Sequence, residues 1–140
     1  MKFTYVLAPL ALLAGLASAD KTTVGYDSVY GEKGRSMNTV SCSDGSHGLT
    51  KKYPTLGSVP AYVGSTYAVG GWNSDKCGTC WKLTYTPAKG KKQTIYMVAV
   101  DHANDSFNVS PAAFKKLTGN TDLGRVNIIA EQVGSNMCGM

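Results

Sequence analysis

Cys77-Gly78-Thr79-Cys80-Trp81-Lys82 is the stretch whose reading decides how this chain folds. It holds two of the four cysteines, while Cys42 and Cys138 lie far away on either side. A structural zinc site draws its ligands from paired, short-spaced motifs. No second such pair exists here, and His47 and His102 stand alone. A thioredoxin-like redox motif sits at a strand-to-helix step. Residues 81–85, however, alternate large and polar side chains as a strand does. Two structural disulfides are the preferred reading. Four cysteines allow three pairings, and spacing does not choose among them.

The compartment supports that reading. Lys2, the apolar run 6–16 and the small residues Ala17-Ser18-Ala19 form the pattern of a secretory signal peptide. The run is too short for a membrane span of about 20 residues. Residues 1–19 are therefore expected to be a signal peptide and residues 20–140 one secreted domain, in which disulfides are the default. A domain of this size buries roughly two-thirds of its unfolded surface. The formal charge of +5 is modest and favours acidic surfaces such as wall polymers. Its lysines are scattered in short clusters (Lys51-Lys52, Lys89, Lys91-Lys92, Lys115-Lys116) and read as solvated surface. No nucleic-acid interface is expected.

Around the central stretch the pattern is one of short strands. Residues 22–26 are rich in β-formers, and residues 27–38 read as loop. Residues 40–42 look like a short buried strand, and residues 49–53 like a single helical turn ended by Pro54. Residues 56–73 are broken by glycine and proline into loop with short strands. Residues 94–100 are apolar on both faces, which predicts a strand between layers or inside a closed barrel. Ser110-Pro111 is a helix start, with a capping hydroxyl before proline at the first helical position. Ala113, Phe114 and Leu117 would share its buried face, and Gly119 would stop it. Residues 125–133 predict a last strand with Val126, Ile128 and Ala130 on one side. Many short strands and one short helix argue for a small β-barrel or sandwich.

Few residues carry chemistry. Asp101 to Asn108 follow the most apolar strand, where polar groups are within reach of a ligand. Asp101 can accept bonds from sugar hydroxyls or act as a general acid, and Asn108 can both give and take bonds. The alternative is an Asx-rich loop that satisfies its own backbone. Asn104-Asp105-Ser106 and Asn108-Val109-Ser110 match the glycosylation pattern, the second disfavoured by Pro111. Glycoside hydrolysis needs two carboxylates flanking one bond, and none of the acidic residues is paired by spacing. No nucleophile elbow, zincin helix or phosphate loop is present, so neither cofactor nor metal is expected. The tyrosines, Trp72 and Trp81 can stack sugars or fill a core, and Trp81 beside a cysteine is expected to pack against a disulfide.

Six segments together resemble the cerato-platanin family of small secreted fungal proteins. They are GYDSVY at Gly25, CSDGSHGL at Cys42, KYPTLGSVP at Lys52, GWNSDKCGTCWKLTY at Gly71, FNVSPAAFKKLTG at Phe107 and GRVNI at Gly124. The resemblance implies a mainly β, single-domain, six-stranded double-ψ β-barrel with one or two short helices. It is similar to the first domain of expansins and to some endoglucanases. It also implies the disulfides Cys42–Cys77 and Cys80–Cys138. Members are non-hydrolytic; they bind chitin-type N-acetylglucosamine oligomers, weaken cellulosic material as expansins do, and elicit plant defence or necrosis. The implied partners are therefore chitin oligomers, cellulose and a plant cell surface or receptor. The implied location is extracellular and in the fungal wall. The family's sugar groove falls on Asp101 and Asn108 here, with Tyr26 and Asp27 as companions. A vestigial glycosidase using Asp101 and Asp27, or a self-assembling wall protein, are the alternatives. Two departures stand out: residues 102–106 lack the glycine-rich stretch members carry after the groove aspartate, and Ser28 replaces a common proline.

Overall fold

The computed structural model describes residues 18–140. The apolar run of the expected signal peptide lies outside the described residues. Six strands close into one barrel: β1 (Asp20–Tyr26), β2 (Tyr62–Thr66), β3 (Cys80–Tyr85), β4 (Gln93–His102), β5 (Phe107–Val109) and β6 (Arg125–Val133). Around the barrel they run β1-β5-β2-β4-β3-β6, with β6 returning to β1. The β1–β5 and β2–β4 pairs are parallel and the other four antiparallel. Parallel pairs need long crossovers, so this is no up-and-down barrel, in keeping with the expected double-ψ connection.

The barrel carries apolar residues on two sides. Val24, Trp81, Leu83, Met97, Phe107, Ile128 and Ala130 fill its interior. Helix α1 (Pro111–Thr118), the one α-helix among the described residues, closes one end with Ala113, Phe114 and Leu117. Its start is as expected: the Ser110 hydroxyl accepts from the Ala113 amide at 3.1 Å, and Gly119 ends it in the left-handed region at φ 82°. Outside β4, a second cluster joins Val98 and Val100 to Met37, Tyr53, Leu56 and Val59 from the long connection between β1 and β2. That second layer explains why β4 is apolar on both faces.

Both expected disulfides are present, Cys42–Cys77 and Cys80–Cys138. Trp81 is buried in the interior cluster that also holds Cys42, edge-on to Phe107 at 5.4 Å between ring centres. Its indole N–H donates to the Thr79 hydroxyl at 2.8 Å.

Two local expectations need correction. Residues 40–42 are not a strand: the Cys42 amide donates to the Val100 carbonyl, but the Ser41 amide donates to the Asp101 side chain instead of a backbone partner. Residues 101–108 are not one loop, because Asp101 and His102 end β4 and Phe107–Val109 forms β5. No helix of the described residues is long and apolar enough to cross a membrane.

Candidate functional site

One polar row crosses five neighbouring strands. Ser65 on β2 is the register partner of Asp101 on β4 and of Asn108 on β5. Asn108 is opposite Gly25 on β1, which is opposite Arg125 on β6. Four strand spacings of about 4.8 Å give a row roughly 19 Å long, enough for several sugar rings.

A bulge places Asp101 in that row. Gly64 pairs with Ala99 and Ser65 with Asp101, so β4 spends two residues where β2 spends one. Strand side chains alternate between faces, and without the extra residue Asp101 would point inward like Ala99. The bulge turns it outward. There its Oδ1 accepts from the Ser41 amide (3.0 Å), the Ser41 hydroxyl (2.8 Å) and the His102 amide (2.9 Å). Oδ2 accepts from the Tyr30 hydroxyl at 2.9 Å. Burial pushes the Tyr30 phenol well above its ordinary 10.0; Ser65 pulls the other way, and the Asp101 charge adds to the rise. Tyr30 is therefore a neutral donor to Oδ2, which carries this one bond while Oδ1 carries three.

In the middle of the row, the Asn108 amide is held on both sides. Its Nδ2 donates to the Ser65 hydroxyl at 3.2 Å, and its Oδ1 accepts from Arg125 Nη2 at 2.6 Å. Arg125 Nη1 donates to the Thr23 hydroxyl and the Phe107 carbonyl. The guanidinium lies over Gly25, where a Cβ would stand 2.6 Å from Nη2. Only a glycine permits that approach. Among the described residues, the sole ion pair is Arg35–Glu32, which leaves the Arg125 charge facing neutral groups.

The other two expected residues do not join this row. Tyr26 is one residue past Gly25 and so alternates to the other side, where its ring meets Phe114 at 5.0 Å. Asp27 caps the turn after β1, its carboxylate accepting from the Val29 amide at 3.1 Å. In the glycine-free stretch, His102 Nδ1–H donates to the Val69 carbonyl at 2.7 Å, and Nε2 lies 3.2 Å from Asn104 Oδ1. Asn104 is exposed.

The family model described as Cerato-platanin matches residues 22–140. The chain belongs to the cerato-platanin family. Cerato-platanin of Ceratocystis fimbriata f. sp. platani is 42% identical over 131 residues, covering 91% of this chain and 94% of that protein. A heat-stable 19 kDa antigen of Coccidioides immitis is 37% identical over 140 residues, covering 96% and 91%. Among solved cerato-platanins, the crystal structure of cerato-platanin 2 from M. perniciosa superposes with a TM-score of 0.83 at 38% identity, covering 86% of this chain and all of that one (100%). The solution structure of the fungal elicitor cerato-platanin gives 0.74 at 43% identity, covering 84% and 96%. These likenesses bear out the family resemblance and the barrel.

Ser65, Tyr30 and Arg125 were not singled out in the sequence. Arg125 and Tyr30 carried a faint signal, the one as second residue of the matching segment GRVNI and the other as last residue of GYDSVY. Ser65 acquires its place through strand pairing alone.

Proposed function

We propose that this cerato-platanin is a secreted, non-catalytic fungal protein that binds chitin-type N-acetylglucosamine oligomers along the Asp101–Asn108 row. In this reading it loosens cellulosic wall material and is perceived at the plant cell surface as an elicitor. The observation that carries the reading is the row itself. An anionic acceptor at Asp101, an amide at Asn108 and a cation at Arg125 alternate on one outer face at spacings that suit sugar hydroxyls and acetamido groups.

A non-catalytic role is supported by the state of the carboxylates. Asp101 accepts four hydrogen bonds, and Asp27 is committed to its cap. Neither is a free general acid, and a glycosidase needs one of its pair protonated and poised. The two disulfides suit an oxidising extracellular setting.

Calorimetric titration of the protein with N-acetyl chito-oligosaccharides, alongside amide chemical-shift mapping, tests the reading. Binding heat with shifts at Asp101, Asn108 and Arg125 is expected. Absence of heat and of shifts at saturating sugar sinks it.

A further inference from the structure

A second aromatic feature lies apart from the row and shares no residue with it. Trp72 is 63% exposed, whereas Trp81 is 5% exposed. The exposed indole is nevertheless fixed. Its Nε1–H donates to Asp44 Oδ1 at 2.6 Å. Its edge lies against Gly45, where a Cβ would meet Cζ2 at 3.1 Å and Asn73 Oδ1 at 2.6 Å. Gly45 also holds φ 88°, so side chains are excluded there twice over.

The segments that carry these groups are tied together. Asn73 adopts φ 58°, the left-handed region that asparagine tolerates. Its Oδ1 accepts from the His47 amide at 2.9 Å, and its carbonyl is 3.2 Å from His47 Nδ1. The Cys42–Cys77 bridge clips residues 43–48 to residues 71–76. An aromatic ring held this way loses little freedom on binding, which is what makes it an effective anchor.

The surroundings specify the ligand. Other large exposed apolar residues among those described are Tyr26, Leu123, Ile129 and Met137, and none is on these two segments. Protein hot spots are ringed by further contacts that exclude water. Trp72 has instead Asp44 bonded to its indole, and Ser46 and His47 bonded to the adjacent Asn73, all three exposed. A flat apolar ring beside a carboxylate, a hydroxyl and an imidazole fits a molecule with one apolar face and a polar edge. A pyranose with all substituents equatorial is such a molecule, because its axial C–H bonds form the apolar face.

We propose that Trp72, positioned by Asp44 and Asn73, is a second glycan site that stacks a β-1,4-linked, all-equatorial pyranose chain, with Asp44 and His47 bonding its hydroxyl edge. Cellulose-type and chitin-type chains share this chemistry.

Tryptophan emission reads the site directly, since Trp81 is buried and serves as an internal reference. The protein is titrated in parallel with a cello-oligosaccharide and an N-acetyl chito-oligosaccharide, with a β-1,4-galacto-oligosaccharide, whose O4 is axial, as the control. A blue shift and protection from iodide quenching are expected with one or both equatorial sugars. Response to both shows that the shared C–H face suffices; response to the chito-oligosaccharide alone adds its acetamido group to the recognition, and response to the cello-oligosaccharide alone excludes that group. Trp72→Ala should lose the signal and about tenfold in affinity at this site, whereas Trp72→Phe should keep part of that affinity. Asp44→Ala, which frees the indole, should weaken binding with the ring still present. In Asn108→Ala, which disables the row, the Trp72 response should persist. Failure of that row therefore leaves this site testable. No emission change with either equatorial sugar, equal affinity in Trp72→Ala, or an equal response to the galacto-oligosaccharide would overturn the proposal.

Discussion

Ser65 faces Asp101 because Val100 is left over between Asp101 and Ala99, whose partner is Gly64. This one-residue surplus sends the carboxylate to the outer surface, where Tyr30 and Ser41 donate to it. Asp101 therefore ties the connection after β1 to the end of β4, besides lying in the proposed groove.

Replacing Asp101 by alanine strands the Ser41 amide and the Tyr30 hydroxyl. Each donor left unpaired at a partly buried site costs about 1–3 kcal/mol. Asp101→Asn keeps an acceptor for Ser41 and offers an N–H to the Tyr30 oxygen, so its loss should be smaller. Urea unfolding of both variants checks the order. Equal stability of Asp101→Ala and the parent would mean that these bonds contribute nothing.

Gly25→Ala tests the other end of the row. Its new methyl would sit 2.6 Å from Arg125 Nη2 and 3.2 Å from Asn108 Oδ1, so the guanidinium must leave its place. Because the displaced group is the end of a flexible exposed side chain, the barrel should stay folded. The predicted outcome is an unchanged fold by circular dichroism with oligosaccharide affinity reduced roughly tenfold, the loss of one charged contact. Parent-like affinity would remove Arg125 from the site.

The strands that could be read in the sequence are those whose own residues carry a pattern, such as the alternation after Cys80 or the two-sided apolar run that became β4. The helix could be read from Ser110-Pro111 and Gly119. Phe107–Val109 could not, because three residues hold no period and this strand exists through its pairing with β1 and β2. Residues 40–42 misled for the opposite reason: Val40 and Cys42 are apolar and buried, but at Ser41 between them a side chain takes the place of the backbone partner a strand needs. In the site, Asp101 and Asn108 were visible as polar residues after an apolar run. Ser65 and Arg125 lie in different parts of the chain, and barrel closure alone brings them to Asn108.

The disulfides close separations of 35 and 58 residues. Chain-entropy arguments give each about 4 kcal/mol, because the dependence on loop length is logarithmic. Replacing either pair by alanines should therefore lower unfolding free energy by similar amounts. The two variants should differ elsewhere: loss of Cys42–Cys77 should loosen the Trp72 segments and raise iodide quenching, while loss of Cys80–Cys138 should not. Quenching that rises equally in both would show that the bridge does not hold those segments.

Tyr67 gives a prediction with a defined pH window. Its hydroxyl donates to the Asp20 carboxylate, and its ring lies edge-on to Phe107 at 5.6 Å. Burial first, then the bond to Asp20 and its charge, push the phenol from 10.0 up to about 12. Below the lower value the phenol is protonated in both states, and its contribution to stability is fully present. Between the two values the unfolded chain has lost the proton that the folded protein keeps, so rising pH favours unfolding. The contribution fades through this window and is gone above it. Tyr67→Phe lacks the titrating group, so its stability should fall less steeply there. Tyr30 titrates in both proteins and cancels in the comparison. At neutral pH the variant should be less stable by about 1 kcal/mol for the lost bond. Denaturant midpoints measured from neutral pH upward decide the matter: parallel curves for parent and Tyr67→Phe through the alkaline window would show that Tyr67 does not hold its proton on folding.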